Sequence, residues 1–383
     1  MSDRLTILMT CGAGPGVVGH IDAARGNGYA PVRIVVGDVS ADENAGFALA
    51  DDRVLLPSAS DPQLVDELLA ICGRYDVDVL WPVFDGELEP LSASRERFEA
   101  EGVRLLLADD ATVRLCLDKA AFFQRLADTG LVPPSRVARS SDELRSAAEA
   151  FGYPDRRVAV KPIRGTGGRG FHVIDAGHDD RERFFDARPD VTSCTLDAAA
   201  DALARREGRD DGAAGVLVMP FVEGEEYGCD ALADDGQIVA AVTRHKRPPF
   251  RDGMHTRIVV DEDPVVIGVV QRVLDAIGAT GLLSVDLRED DDGDLRVLEI
   301  NPRAGAYLGM ACARIDLFGL ALGRLFGQLT DVDAMRRSSE PIVALRYWAD
   351  MVHLDGRPRV LGGAAACERV VSQTSDCAGG CWT

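Results

Sequence analysis

The chain has no long apolar run and no excess of basic charge, and these two absences remove whole classes of function. Its hydrophobic stretches are too short to span a bilayer, and its N-terminus lacks the basic region, apolar core and cleavage site of an export signal. The expectation is a soluble, cytoplasmic protein with no membrane partner. Acidic residues number 63 against 42 basic ones, for a net charge of −21, and no basic cluster rescues a nucleic-acid partner. Any anionic substrate must therefore meet a locally positive site. A disorder signature is also missing: 46% hydrophobic and 27% charged residues are ordinary globular usage. At 383 residues the chain exceeds one ordinary domain.

A disulfide framework is lacking too. There are nine cysteines, an odd count, and seven of them stand singly in ordinary contexts, as buried thiols of a reducing compartment do. Cys377 and Cys381 are spaced to close a small loop or supply two metal ligands, but no further Cys/His pair lies nearby to complete a zinc site. Residues 372–383 carry one large apolar residue, Trp382, and read as a dispensable tail.

What is present begins with a hairpin. Leu282–Arg288 and Leu295–Arg303 flank the acidic, glycine-containing turn Asp290–Asp294. Symmetric pairing about that turn sets Asp286 opposite Glu299 and Ser284 opposite Asn301, on one face. Two carboxylates so placed repel unless they share a proton or a cation. An oxygen-only donor set suits Mg²⁺, which keeps water and phosphate oxygens in its shell.

The first part of the chain alternates strand and helix, with strands expected at 5–9, 32–36, 77–82 and 103–107, as in a parallel sheet of about 110 residues. Its first turn holds G-x-G-x-x-G at Gly14, Gly16 and Gly19, followed by Asp38 at a strand end, so an NAD-dependent oxidoreductase is a legitimate alternative. A second glycine-rich segment competes with it. Asp118 caps a helix that begins at Lys119, and a strand carrying Lys161 runs into Gly165-Thr166-Gly167-Gly168-Arg169-Gly170. Such a loop exposes backbone N–H groups to phosphates without the P-loop pattern. A strand, turn and strand from Val216 to Asp230 follow.

The order Lys119, Lys161, glycine loop, Met219 to Glu226, Asp286, Glu299, Asn301 resembles the ATP-grasp superfamily, especially its carbamoyl-phosphate-synthetase-like branch, over residues 4–330. The resemblance implies an α/β and α+β multi-domain chain: a parallel-sheet pre-ATP-grasp domain at 1–112, ATP-grasp lobes at 113–215 and 216–330, and a short module and tail at 331–383. It implies ATP and Mg²⁺ as cofactors. Lys119 and Lys161 match lysines that contact ATP phosphates, and Gly165, Thr166, Gly167, Gly168 and Gly170 match the phosphate loop. Met219, Pro220, Phe221 and Val222 match the adenine-reading linker, Glu226 the ribose acid, and Asp286, Glu299 and Asn301 the ligands of two Mg²⁺ ions. Arg303 matches an arginine near the transferring phosphoryl group, acting there with Lys161.

The implied reaction is carboxylate activation by ATP, giving an acyl phosphate that an amine displaces. The expected partners are small-molecule carboxylate and amine substrates, amino acids first, with a homodimer as the one assembly entertained. In this family the N-terminal glycine turn faces the acceptor, which reassigns Gly14, Gly16 and Gly19 to the substrate cleft. Asp85 and Glu87 follow a parallel strand, where open sheets bind ligands, although helix capping serves Glu87 equally well. The locally basic stretch 244–257 offers Arg244, His255 and Arg257 as a site for a carboxylate. Neither a biotin-carrier nor a glutamine-hydrolysing segment is expected, so free ammonia or an amino group is the nucleophile favoured. The remaining alternative is a non-catalytic nucleotide-binding protein.

Overall fold

The computed structural model describes residues 4–165, 169–178, 192–206, 215–251, 254–328, 330–347, 349–354 and 357–360. The tail with Cys377 and Cys381, and Thr166, Gly167 and Gly168 of the glycine loop, lie outside the described residues.

Five short strands, β1 (Leu5–Met9), β2 (Val32–Asp38), β3 (Asp52–Leu55), β4 (Val79–Trp81) and β5 (Arg104–Leu105), form a parallel sheet in the order β3-β2-β1-β4-β5. Ile7, Leu8, Val35, Val36 and Leu80 are buried, as parallel strands covered on both faces require. β3 has no counterpart in the sequence expectation. It is an edge strand, and only Val54 of its four residues is buried, so no apolar pattern announces it. β1 pairs with β2 on one side and β4 on the other, so the order reverses there. A crevice outside the carboxyl ends of strands at such a reversal is where open α/β sheets bind ligands.

A second sheet, in the order β6-β10-β7-β8-β9, contains β6 (Arg136–Ala138), β7 (Val158–Pro162), β8 (His172–Ile174), β9 (Ser193–Cys194) and β10 (Val216–Pro220). Its helices Ser141–Ala150 and Leu196–Ala204 supply Leu144, Ala147, Ala148, Leu196, Ala200 and Leu203 to a core of its own. Ser140 and Thr195 cap them, each accepting a backbone N–H three residues on.

The third sheet is antiparallel: β11 (Glu226–Asp234), β12 (Gln237–Arg251), β13 (Met254–Asp261), β14 (Gly281–Glu289), β15 (Leu295–Asn301) and β16 (Ile342–Leu345), in the order β15-β14-β11-β12-β13-β16. The helix Pro264–Ile277 packs Val266, Val269, Val270, Val273 and Leu274 against it, with Asp263 as N-cap, Pro264 in its first turn and Gly278, at φ 65°, ending it. β16 is the strand expected near residue 342, and it pairs with β13 at the sheet edge. A separate pair, β17 (Met351–Leu354) with β18 (Arg357–Val360), follows.

The parallel-sheet unit meets the segment after β15 through backbone. The helix Val17–Arg25 crosses the helix Leu308–Cys312 so closely that a Cβ on Gly309 would lie 2.7 Å from the Cα and carbonyl oxygen of Gly19, and one on Gly16 would lie 2.7 Å from the Cα of Ala306. Gly73, in the helix Leu64–Tyr75, faces open space. The two glycines should respond oppositely to alanine. Gly73→Ala is expected to stabilise by about 0.5–1 kcal/mol through helix propensity. Gly309→Ala gains the same propensity but must push helices apart, for a net loss of about 1–3 kcal/mol. Urea unfolding of both variants checks the contrast, and a neutral Gly309→Ala would refute the close crossing.

Candidate functional site

The hairpin of β14 and β15 pairs as the acidic turn dictates at its far end: Ser284 opposes Asn301 and Asp286 opposes Glu299. Nearer the turn the register slips, so that Leu287 opposes Val297 and Leu298 is the extra residue of a bulge. The bulged carbonyl of Leu298 is freed from the ladder and accepts a 2.6 Å hydrogen bond from Lys161 Nζ. Lys161 sits on β7, inward-facing and buried, with its ammonium 4.7 Å from the Phe123 ring centre. Burial pushes its pKa down to about 8, against the upward pull of Glu299.

Lys119 begins the helix Lys119–Leu126, whose N-cap Asp118 accepts the N–H of Ala121 at 3.0 Å. Its ammonium donates to the carbonyl of Gly165 at 3.0 Å and lies 3.4 Å from Glu299. One lysine therefore joins the base of the glycine loop to the hairpin. Among the linker residues, the N–H of Phe221 donates to the carbonyl of Arg157, and the carbonyl of Val222 accepts from Arg288 at 2.9 Å. Both guanidinium groups lie over the Phe221 ring, at 4.9 and 5.6 Å. A cavity of about 240 Å³ opens between the second and third sheets, lined by Lys119, Lys161, Gly165, the linker Met219–Val222, Glu226, Asp286, Arg288 and Glu299. Its walls pair an apolar slot of Ala159, Phe171, Met219 and Leu298 with a charged end, the shape a flat base attached to a charged tail requires.

The hairpin itself offers a donor set for a divalent metal. Asp286 and Glu299 are cross-strand partners, Asn301 is the next residue on the same face, and all three offer oxygen. Among the described residues no group of three or more His, Cys, Asp and Glu side chains could enclose a metal. Two carboxylates and an amide nevertheless fit Mg²⁺, which takes few protein ligands and fills its shell with water and phosphate oxygens.

Two residues of the third sheet and Tyr307, just before the helix Leu308–Cys312, complete the charged end, and sequence reasoning passed over them. Lys246 donates to Glu226 and, at 2.7 Å, to Asp286 Oδ1. Burial alone would lower its pKa, but the Asp286 and Glu226 charges outweigh that and raise it. Arg288 lies 3.1 Å from Glu226. Despite its burial, Glu226 is held well below the usual carboxylate range by His255, Lys246 and Arg288. Tyr307 is the third, with the cations of Arg244, Lys246 and Arg346 at 4.7, 5.5 and 4.5 Å from its ring centre. The available signal was alternation: on β12, residues 244 and 246 face inward, and 245 and 247 outward.

That alternation also changes the reading of the basic stretch. Arg244 has no exposed area; it is ion-paired with Asp230 and donates to Ser284 Oγ at 3.3 Å, so it braces the sheet and is closed to a substrate. His255 stands 3.2 Å from Glu226, which lines the cavity between the second and third sheets. Arg257 is exposed and lines neither this cavity nor the one described next.

A larger cavity, about 610 Å³, lies where the parallel sheet reverses its order, outside the ends of β1, β2 and β4. It is lined by Cys11, Gly14, Gly16, His20, Asp38, Asp85, Glu87, Arg169 and Arg303 among others, and Arg169 also borders the first cavity. Gly19 lies at the helix crossing instead. Asp38 accepts the N–H groups of Ala13 and Ser40, at 2.9 and 3.1 Å, so it holds the glycine turn in shape. Arg303 Nε donates to Asp85 Oδ1 at 2.7 Å and its Nη2 to Asn301 Oδ1 at 3.3 Å, tying the hairpin to the helix Asp85–Ala93. Glu87 Oε1 accepts from Thr10 Oγ1 and from the N–H groups of Val83 and Phe84. It caps the helix and lines the cavity at once, and burial pushes its pKa up to about 7.

Residues 213–347 match the model of an ATP-grasp in the biosynthetic pathway with Ter operon, and residues 10–106 that of a PylC-like N-terminal domain. Among relatives in sequence is the carbamoyl phosphate synthase arginine-specific large chain of Bacillus subtilis, 23% identical over 256 residues, covering 64% of this chain and 22% of that one. The vancomycin B-type resistance protein VanB of Enterococcus faecalis is 25% identical over 248 residues, covering 60% of this chain and 65% of its own. The match thus spans only about a fifth of the synthase large chains. In structure, the ADP complex of an N5-carboxyaminoimidazole ribonucleotide synthetase superposes with TM-score 0.60 at 17% identity, over 97% of this chain and 85% of that one. An L-amino acid ligase from Bacillus licheniformis does so with TM-score 0.56 at 15% identity, over 86% and 76%. The two family models and the fold shared with these solved structures agree: residues 213–347 resemble an ATP-grasp domain and residues 10–106 a PylC-like N-terminal domain.

Proposed function

We propose that the chain is an ATP-dependent carboxylate–amine ligase that activates a small carboxylate, an amino acid first among them, as an acyl phosphate. The observation that carries this reading is the meeting of Lys119, Lys161, Glu226, Asp286 and Glu299, drawn from four separate stretches of sequence, around one cavity. Arg303 stands between that cavity and the acceptor side. The likeness to an L-amino acid ligase supports amino acids as the substrates.

In this reading the apolar slot and the Met219–Val222 linker hold adenine, Glu226 meets ribose, and Lys119, Lys161 and the glycine loop hold phosphates. Mg²⁺ held by Asp286, Glu299 and Asn301 would neutralise phosphate charge as the γ-phosphoryl group is transferred. The protein's own part is placement. Lys161 and Arg303 bring positive charge to the region of developing negative charge, and no protein nucleophile is needed. Once the acyl phosphate exists, an uncharged amine attacks its carbonyl carbon and inorganic phosphate leaves with the bonding pair.

Three outcomes are expected. Glu299→Gln removes one anionic ligand while keeping shape, and should lower Mg²⁺-dependent phosphate release, screened over amino-acid pairs, by about 100-fold or more. Near-normal turnover at saturating Mg²⁺ would sink the hairpin's role. ADP with Mg²⁺ at about 100 times its Kd should stabilise the fold by about 2.7 kcal/mol, read as a raised Tm, whereas NAD should not, and Lys161→Ala should erase most of the ADP effect. Stabilisation by NAD and not by ADP would favour the oxidoreductase.

The third outcome concerns pH. The carboxyl of Glu87 is raised in the folded state, to about 7 from 4.5, so it binds its proton more tightly when folded. Its contribution to stability is present at acid pH and is lost as pH rises towards 7. Glu87→Gln should therefore gain stability relative to the parent as pH increases across that window. Parallel unfolding curves for the two proteins from pH 4.5 to 7.5 would contradict the buried, protonatable carboxyl.

A further inference from the structure

A third cavity, of about 320 Å³, shares Pro162, Gly165 and Arg169 with the first, while its remaining walls lie on or beside the second sheet and its helix Leu196–Ala204. Four arginines line it: Arg139 just past β6, Arg164 and Arg169 at the two ends of the glycine loop, and Arg206 just past the helix. Among the described residues no aspartate or glutamate lines it. The chain as a whole carries a net charge of −21, so composition alone does not gather charge of this sign. Glu89, 2.8 Å from Arg164, anchors that guanidinium, and Arg139 and Arg206 are exposed. Gly170 and Gly215, at φ 79° and 136°, hold backbone conformations that side chains resist, so neither narrows the cavity.

We propose that this cavity is a second oxyanion site, which takes inorganic phosphate or the phosphate group of a small metabolite, separate from the phosphates of a nucleotide. A guanidinium is always charged, is weakly hydrated and presents its N–H donors as a planar fork that matches phosphate oxygens in pairs. Four such forks offer more donors than the two oxygens of a carboxylate can accept, whereas a phosphate group brings at least three oxygens and about two negative charges. The inference goes beyond the ligase reading and does not depend on it. It bears on that reading through Arg169, which borders this cavity, the one between the second and third sheets and the larger one beside the parallel sheet. An anion held here therefore acts on the arginine that all three cavities share.

The test is phosphate binding by the full-length chain without nucleotide, read from the broadening of the phosphorus resonance of inorganic phosphate. Ionic strength is held constant, because exposed charges are screened by salt. The expected result is saturable binding that the double variant Arg139→Gln, Arg206→Gln weakens by about 10-fold or more, as the loss of two charge-assisted donors implies, and that Lys161→Ala leaves within about 2-fold. Both arginines are exposed, so the double variant should keep the parent's Tm; if it does not, the two single variants, each weakening binding by about 3-fold, decide instead. A second probe, glycerol phosphate, separates the two sources. A monoester bound no more tightly than phosphate assigns the site to phosphate itself, and one bound about 10-fold more tightly assigns it to a metabolite. No saturation up to about 50 mM phosphate overturns the proposal. So does binding that the arginine variants leave unchanged; if Lys161→Ala then abolishes it, the phosphate sits in the first cavity and the third is no oxyanion site.

Discussion

Two carboxylates facing each other across a strand pair are the constraint around which the rest is arranged. Asp286 and Glu299 are held by backbone register and cannot drift apart. Two unit charges about 4–5 Å apart at an effective dielectric near 20 repel by about 4 kcal/mol, which rivals a large part of the net stability of a domain. The fold answers with cations from separate elements. Lys246 comes from β12, Lys119 from the start of a helix, and Lys161 from a different sheet altogether. These groups are buried or nearly so, so the interactions are weakly screened. A site poised this way has a use for a polyanion that brings a divalent ion with it, and that physical demand, more than any single motif, points to nucleotide chemistry.

The second cavity has the opposite character. Asp38, Asp85 and Glu87 face it, and the Arg303 guanidinium is already committed to Asp85. The two cavities meet at Arg169, which borders both, while Arg303 ties the hairpin to the wall of the second. The parallel sheet explains the place of the second: its order reverses between β2 and β4 around β1, leaving a crevice at the strand ends, and the segment following β15 fills the open side of that crevice with Arg303, Ala304 and Ala306.

Much of this was legible in sequence, and the failures have physical causes. The opposition of Asp286 to Glu299 followed from a turn signal and period-two alternation. The Leu298 bulge did not, because a one-residue slip leaves no mark in composition, yet it is what offers Lys161 a carbonyl. The helix capped by Asp118 was legible because capping chemistry is local. β3 was not, since an edge strand needs only one buried residue, and Val54 alone makes no pattern. The basic stretch on β12 misled in an instructive way. Its charge suggested a solvent-facing site, but alternation sends Arg244 and Lys246 inward, where burial turns one into a brace for Asp230 and the other into a partner of the hairpin. Glu87 caps its helix, as one of its two readings had it, and also lines the larger cavity.

How the units are joined bears on how such a site could open. Ile7, Val36 and Trp81 of the parallel sheet share one apolar core with Leu232, Val242, Ile258, Leu308 and Phe318, and the join is tightened by the Gly19–Gly309 crossing and a 2.8 Å hydrogen bond between His20 Nε2 and the carbonyl of Gly305. Parting them would expose a large buried apolar surface, at about 25 cal/mol per Å². The second sheet is held differently. It has its own core, contributes Ala159, Leu217 and Met219 to the larger one, packs Val137 and Phe171 against it, and also reaches its neighbours through polar contacts such as Lys161 to Leu298, Arg156 to Asp291 and Arg164 to Glu89. The exposed ion pairs among these, Arg156 to Asp291 and Arg164 to Glu89, are worth roughly 0–1 kcal/mol each, because water replaces them at little loss. Separating the second sheet from the third is therefore the low-cost motion, and it is the one that would admit a nucleotide to the cavity between them while leaving the hairpin and its join to the parallel sheet in fixed register.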